Sequence, residues 1–431
     1  MTATVGASAS AVQEHKSHLR TLVGTGIGNA VEWYDWAIYA TFAPFIASAL
    51  FSKSDPTSAI LSTLAIFAVG FVARPFGGFV FGWIGDRIGR KTSMTFAVAL
   101  GAFGSLLIGI APTFESVGVF ASIMLLLARL IQGLAHGGEL PSSQTYLSEM
   151  APKEKRGFWA TLIYTSGTVG ILFGTLLGAV LSGVLSKADM AAWGWRIPFL
   201  IGGALGVYAL VMRARMKETE AFEAETVKEK HEPMWPQIFR HRKQALQVIG
   251  LTVGLTVIYY VWGVVAPSYA STTLKMDRGA ALWASVVGNI VFIAALPFWG
   301  RLSDRIGRKP VLIASAAGSA LMHFPMTWLL KDSPWQLAVG MSVMLFFIAG
   351  AAAIVPAVYA ELFPTKIRTV GVGVPYSICV AAFGGTAPYL QTWLASIGQG
   401  GLFNVYAIVL LAVGIAFVFT IPETKGKDLT H

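Results

Sequence analysis

Cysteine is nearly absent: Cys379 stands alone in 431 residues, which excludes an intrachain disulfide and a thiolate metal site. Charge is scarce as well, at 13% of the chain, against about 25% in an average soluble protein. With 55% hydrophobic residues, a water-soluble fold of this length could not hide its apolar surface, so the bilayer is the solvent. The strand-length alternation that a membrane barrel needs is missing. No Gly-x-x-x-x-Gly-Lys-Ser/Thr string occurs, so ATP use has no visible motif. Residues 1–20 are polar with mixed charge and lack a signal-peptide layout, so the first span is expected to stay uncleaved.

What is present is a series of twelve apolar spans, at 21–50, 59–84, 92–111, 118–148, 157–184, 195–214, 245–273, 280–300, 310–330, 335–360, 369–396 and 402–421. Each has the ~20 residues that cross a hydrocarbon core about 30 Å thick. The abundance of glycine, 46 residues, suits helices packed backbone to backbone in lipid. The fold class predicted is an all-α membrane protein of twelve transmembrane helices in two six-helix halves.

A net charge of +10 invites a nucleic-acid partner, but its distribution argues otherwise. If the N-terminus is cytoplasmic, the cytoplasmic segments hold 24 Lys and Arg and the opposite loops hold 5: Lys53, Lys187, Lys275, Arg278 and Lys331. This is the positive-inside pattern with both termini cytoplasmic. The basic balance reports topology, and no nucleic acid is expected. The hydrophilic stretch 215–243 reads as a solvated linker between halves at 21–214 and 244–421. A cytoplasmic segment at 1–20 and a tail at 422–431 flank them.

Internal repetition supports the two halves. Asp86-Arg-Ile-Gly-Arg-Lys91 returns as Asp304-Arg-Ile-Gly-Arg-Lys309, and Tyr146-Leu-Ser-Glu149-Met-Ala-Pro152 is echoed by Tyr359-Ala-Glu361-Leu-Phe-Pro364. Duplicated half-length units in an apolar chain are a usual layout of secondary transporters. Gly82, Gly85 and Gly89 permit close approach and a tight turn. Asp86 and Asp304 stand where a carboxylate can meet the positive N-terminus of a helix in the opposite half. A cytoplasmic gate is therefore expected from Gly82, Asp86, Arg87, Arg90, Asp304, Arg305, Arg308, Glu149 and Glu361.

Ionisable residues inside spans are costly, so each is a functional candidate. In span one, Glu32, Asp35 and Tyr39 fall within about 60° of arc, with Asn29 adjoining. In span four, Arg129, Gln132, His136, Glu139 and Ser143 fall within about 80°. Arg74 lies twelve residues before Asp86, or roughly 18 Å along a helix, near the midplane. Asp35 and Arg129 are the expected proton-coupling pair, with Glu32, Glu139 and His136 as further members of the relay. Arg74 is the expected carboxylate ligand, accompanied by Asn29, Tyr39, Gln132, Tyr259, Tyr260, Asn289 and Tyr376 as substrate-binding candidates. His323, with no polar stripe around it, reads as a packing residue. No metal site and no cofactor are expected, and nothing points to an enzyme.

With these residues in view, the charged hairpin resembles the loop between helices two and three of the major facilitator superfamily, where it is associated with a cytoplasmic charge latch. The chain resembles one subgroup, the bacterial metabolite:proton symporters. The matching blocks are Gly28-Asn-Ala-Val-Glu-Trp-Tyr-Asp35, Ala73-Arg-Pro-Phe-Gly-Gly78, Ala128-Arg-Leu-Ile-Gln-Gly133, Gly137-Gly-Glu139, Trp193-Gly-Trp-Arg-Ile-Pro-Phe199 and Pro364-Thr-Lys-Ile-Arg368. The α-ketoglutarate permease type looks nearest, by Gly371-Val-Gly-Val and Phe383-Gly-Gly385 as well. The resemblance implies a monomeric proton symporter of a small carboxylate in the bacterial inner membrane. Alternatives are a zwitterionic osmolyte of the proline/betaine kind, an aromatic or cyclic acid such as shikimate, or a transporter-like receptor. Osmosensing members carry a long C-terminal coiled coil, and only about ten residues follow span twelve here. Span five lacks the Gly-Pro motif of drug exporters.

Overall fold

Helix starts and stops are written into the chain by capping residues. Asp55 Oδ1 accepts the backbone N–H groups of Thr57 and Ser58, and Pro56 opens the helix where a missing N–H costs nothing. Asp277 caps the helix beginning at Arg278, and Ser333 with Gln336 forms a reciprocal capping box. Gly307, at φ 104°, supplies the left-handed turn of the second charged hairpin.

A computed structural model describes the backbone of residues 2–52, 54–87, 90–137, 140, 143–144, 147–148, 151–214, 240–364 and 368–429. Side chains are described within these ranges except at 2–25, 82–83, 85–87, 90–94, 212–214 and 369. The helices are α1 (Thr2–Leu50), α2 (Pro56–Arg87), α3 (Arg90–Gly109), α4 (Val119–His136), α5 (Arg156–Val184) and α6 (Ile197–Ala214). The second set comprises α7 (Arg242–Thr272), α8 (Arg278–Ile306), α9 (Arg308–Leu329), α10 (Pro334–Leu362), α11 (Val370–Ser396) and α12 (Gly400–Thr420). Ten spans among the described residues are long and apolar enough to cross a membrane. The other two helices are α1, which carries Glu32 and Asp35 in its inner portion, and α3, whose apolar described stretch is Thr95–Gly109. The predicted linker falls outside the described residues up to 239.

Two helices depart from regular winding. In α7, Tyr260–Val265 is π-helical, and in α11, Val380–Gly384 is. Such widened turns recur at functional sites because they re-aim side chains. Neither was foreseeable from apolar periodicity.

Within the first set α1 packs on α5, α2 on α4 and α3 on α6; within the second, α8 packs on α10 and α7 on α12. The sets meet where α5 lies against α8 and where α2 lies against α11. Large apolar side chains such as Phe76, Phe79, Phe120 and Leu321 remain exposed around the perimeter, as a bilayer-facing surface requires.

Packing of α2 on α4 depends on absent side chains. A Cβ at Gly133 would collide with the Gly70 carbonyl, and one at Gly137 with the Arg74 carbonyl. This backbone contact fixes Arg74 and Arg129 relative to each other. Gly133→Val should therefore destabilise the purified protein by about 3 kcal/mol or more, read as a lowered melting temperature in detergent. Gly183→Ala, where nothing lies within 4 Å, should melt as the wild type does.

Candidate functional site

α1 carries its polar residues one helical turn apart, so that Glu32, Asp35 and Tyr39 all enter the bundle and all are buried. Trp36 lies between the two mid-bundle arginines of the first set. The Arg74 guanidinium carbon is 4.2 Å from the centroid of its ring and that of Arg129 is 3.8 Å away. Phe71 contributes a second ring to Arg74 at 4.3 Å, and Tyr39 a second to Arg129 at 4.5 Å. Aromatic faces thus replace part of the hydration these cations lose. His136, two turns beyond Arg129, has its ring 5.9 Å from that of Trp36.

Hydrogen bonding around the arginines is incomplete. Arg129 Nη1 donates to Gln132 Oε1 at 2.7 Å, and Asp35 Oδ1 accepts from Ser105 at 2.9 Å. Among the described residues Asp35 and Arg129 form no direct ion pair. Arg74 Nε, Arg129 Nε and Nη2, Trp36 Nε1 and His136 Nε2 have no hydrogen-bond partner there. Buried polar groups are nearly always satisfied in folded proteins, and these five nitrogens depart from that rule among the described residues.

Two narrow cavities adjoin this cluster, each with room for about one water molecule. Glu32, Arg74, Trp36 and Tyr260 line the first. Tyr164, Thr252, Thr256, Tyr259, Tyr359 and Tyr376 line the second. Trp33 and Tyr260 border both, forming a common wall. One cavity is thus bordered by charged side chains and the other by aromatic hydroxyls.

The sequence candidates fall unevenly around these cavities. Tyr259, Tyr260 and Tyr376 line the aromatic one. Asn29 instead donates to the Ile163 carbonyl at 2.7 Å and Ser166 at 2.9 Å, and receives Trp33 Nε1 at 3.0 Å, clamping α1 to α5. Tyr39 donates to the Thr63 carbonyl, and Asn289 returns its amide to Ser285 on its own helix. Glu139 lies outside the described residues. His323 accepts from Trp262 Nε1 at 3.2 Å. Sequence reasoning passed over Trp33, Trp36, Ser105, Tyr164, Thr252 and Tyr359. Trp36 was within reach, being four residues from Glu32 on the same face; the Ser105 and Thr252 hydroxyls lie on spans where no charged residue drew attention to them.

A second charged site closes one end of the bundle, where the second hairpin lies. Asp304 accepts the backbone N–H groups of Gly157 at 2.8 Å and Phe158 at 2.9 Å, at the N-terminus of α5 in the other set. This pairs a carboxylate with the positive end of a helix. Arg308 donates to Asp304 at 2.8 Å and to Glu361 at 3.3 Å; Arg156 donates to the same Glu361 oxygen at 3.1 Å. Arg156, Arg308 and Glu361 are all buried, so breaking one member leaves uncompensated charge. Arg305 is exposed, and its side chain makes no hydrogen bond or ion pair among the described residues. Gly82, Asp86, Arg87, Arg90 and Glu149 lie outside the residues whose side chains are described.

Arg156 and Arg368 were not among the candidates, although each follows its repeated proline by four residues. Nor was the tail beyond α12 expected to dock. Thr424 donates to Glu361 at 2.6 Å, and the Lys427 carbonyl accepts from Arg156 at 2.9 Å. Lys153 pairs with Asp428. Glu423 accepts the backbone N–H groups of Arg308, Lys309 and Lys425. Partial burial would raise the Glu423 pKa, but these backbone bonds outweigh it and hold the carboxyl below its ordinary 4.5. A depressed folded-state pKa gives a contribution present above 4.5 and lost as pH falls through the lower folded value. Tail docking, followed by protease protection of the C-terminus, should therefore persist at neutral pH and weaken only in acid. Asp304→Asn should loosen the closure itself by about 0.3–2 kcal/mol, read as increased labelling of cysteines placed on either side of the α5–α8 contact.

A family model described as "Sugar (and other) transporter" matches residues 22–232 and 214–431. Alpha-ketoglutarate permease of Escherichia coli is 35% identical over 410 residues, covering 95% of this chain and 94% of that protein. A putative proline/betaine transporter of Staphylococcus haemolyticus is 34% identical, covering 95% and 89%. Among solved structures, the xylose transporter XylE from E. coli in a partially occluded inward open conformation superposes with a TM-score of 0.72 at 17% identity, covering 95% and 98%. The proton:xylose symporter XylE bound to 6-bromo-6-deoxy-D-glucose gives 0.73 at 18%, covering 95% and 97%. At such identities the likeness speaks for the twelve-helix fold.

Proposed function

Because the chain belongs to the sugar (and other) transporter family of the major facilitator superfamily, and so is a multi-pass membrane transporter and not an enzyme, we propose that it is a proton-coupled importer of a small carboxylate. The observation that carries this reading is the cluster of unsatisfied buried nitrogens on Arg74, Arg129, Trp36 and His136. A carboxylate supplies the acceptors that the Arg74, Arg129 and Trp36 nitrogens lack, and a guanidinium can grip it with two parallel bonds. The α-ketoglutarate permease relative supports that substrate class. That structural neighbours are proton symporters of xylose supports coupling.

In the proposed cycle Arg74 holds the substrate and Asp35 carries the proton, with Arg129 answering its charge. Glu32 borders the same cavity as Arg74 and is the alternative carrier. The interlock around Asp304 and Glu361 is the cytoplasmic latch, which opens as the two six-helix halves rock about the centre. In this reading the protein works as a monomer in the bacterial cytoplasmic membrane, and the positive-inside charge pattern supports cytoplasmic termini. A zwitterionic osmolyte is the second reading, because the rings of Trp33, Tyr164, Tyr259 and Tyr376 offer faces to a quaternary ammonium group. Uptake of labelled carboxylates, betaines and aromatic acids into proteoliposomes under an imposed pH gradient separates the two. Preference for betaines or neutral sugars overturns the carboxylate reading.

Two substitutions probe the assigned roles. Arg74→Lys keeps the charge and loses the fork; apparent affinity for the carboxylate should fall about tenfold or more, with the protein still folded. Asp35→Asn mimics the protonated acid but cannot release a proton. It should abolish gradient-driven accumulation while counterflow stays measurable.

A further inference from the structure

Asp35 and Arg129 are joined by a hydrogen-bond chain that crosses three helices. Arg129 Nη1 donates to Gln132 Oε1 at 2.7 Å, Gln132 Nε2 donates to Ser105 Oγ at 2.8 Å, and Ser105 Oγ donates to Asp35 Oδ1 at 2.9 Å. Its direction follows from the chemistry at one end. A guanidinium can only donate, so the Gln132 oxygen must face Arg129 and its amide nitrogen must face Ser105. Ser105, having accepted from Gln132, turns its single proton to Asp35. Every donor is thus aimed toward a carboxylate oxygen, the polarity that suits a negative Asp35. All four side chains are buried, and glycine clears their path. A Cβ at Gly104 would sit 2.5 Å from Gln132 Cγ, and one at Gly202 would sit 2.7 Å from Asp35 Oδ1.

We propose that Ser105 and Gln132 are positioning residues of proton coupling, carrying the charge state of Asp35 to Arg129 along one directed hydrogen-bond chain. The proposal rests on Asp35 being the proton carrier. Asp35 takes a proton from water on the outward side, its carboxylate becoming a carboxylic acid, and returns the proton to water on the inward side; no other bond forms or breaks. Once the acid is neutral, the chain loses its charge-assisted end, and the links behind it weaken together. Arg129 is then held less firmly by Gln132, beside an indole it shares with Arg74. The two arginines are thereby coupled to the proton without either touching Asp35. The charged or titratable groups around Asp35 are Glu32 and Tyr34 on α1 and Arg129 on α4, with Arg74 on α2 beyond the indole. α3 presents Ser105 and α6 presents Gly202.

The test uses the full-length protein in proteoliposomes with labelled α-ketoglutarate, comparing accumulation under a pH gradient with counterflow at equal pH. Ser105→Ala should lose about tenfold in accumulation while counterflow remains measurable, and Ser105→Thr, which keeps the hydroxyl, should restore most of it. Gln132→Leu should behave like Ser105→Ala. If Ser105→Ala accumulates as the wild type does while Asp35→Asn does not, the chain has no coupling role and the proposal fails alone. Equal loss of accumulation and counterflow, unrestored by threonine, also overturns it, because that is the mark of a packing defect. Full accumulation by Asp35→Asn overturns the carrier assignment and this proposal with it.

Discussion

Two guanidinium groups buried in the middle of a membrane bundle, neither with an ion pair among the described residues, are the constraint on which the rest of the site depends. A charge in that position is tolerated only where something replaces its hydration. Here the replacement is divided. Trp36 takes one arginine at 4.2 Å and the other at 3.8 Å, Phe71 and Tyr39 add further ring faces, and Gln132 accepts a single bond. The glycines of α2 and α4 let the two backbones touch, which brings Arg74 and Arg129 to the same indole. Removing any one of these supports shifts the burden to the others.

The closed end of the bundle obeys the same rule with the opposite solution. There the buried cations meet carboxylates, Arg156 and Arg308 both reaching Glu361 and Arg308 also Asp304. A backbone carbonyl takes a further Arg156 bond, and of their buried nitrogens only Arg308 Nε lacks a partner among the described residues. A hydrogen-bonded network of charges rigidifies the contact it spans. In the proposed reading, the ion-paired end is the contact that must part and the centre is where the substrate binds. In the proposed cycle, substrate and proton bind at the centre, and the interlock yields at the end. The tail beyond α12 belongs to that interlock, since Thr424 and Lys427 reach Glu361 and Arg156.

Much of this was legible in the chain because bilayers permit few solutions. Apolar length fixed the spans, the doubled Asp-Arg-Ile-Gly-Arg-Lys string pointed to the charged end, and isolated charges at Asp35, Arg74 and Arg129 pointed to the centre. The structure brings Asp304 to a helix N-terminus in the other set, the kind of contact its repeat suggested. Pairwise reasoning fell short where a third residue intervenes. Asp35 and Arg129 share a depth, yet Ser105 and Gln132 stand between them, and a serine in an apolar span carries no sequence signal. Asn29 looked like a ligand because it adjoins the face of Glu32, Asp35 and Tyr39, but its bonds go to α5. The π-helical turns at Tyr260 and Val380 depend on packing between distant helices, which no local pattern encodes.

The central claim is that carboxylate and proton move together through one site. The direct measurement is the pH outside weakly buffered proteoliposomes containing the wild-type protein, recorded as α-ketoglutarate is added with no gradient imposed beforehand. Coupled import predicts that the outside turns alkaline as labelled α-ketoglutarate enters, and that betaine at the same concentration leaves it unchanged. Entry of α-ketoglutarate with no change in external pH, or alkalinisation driven by betaine instead, would contradict it.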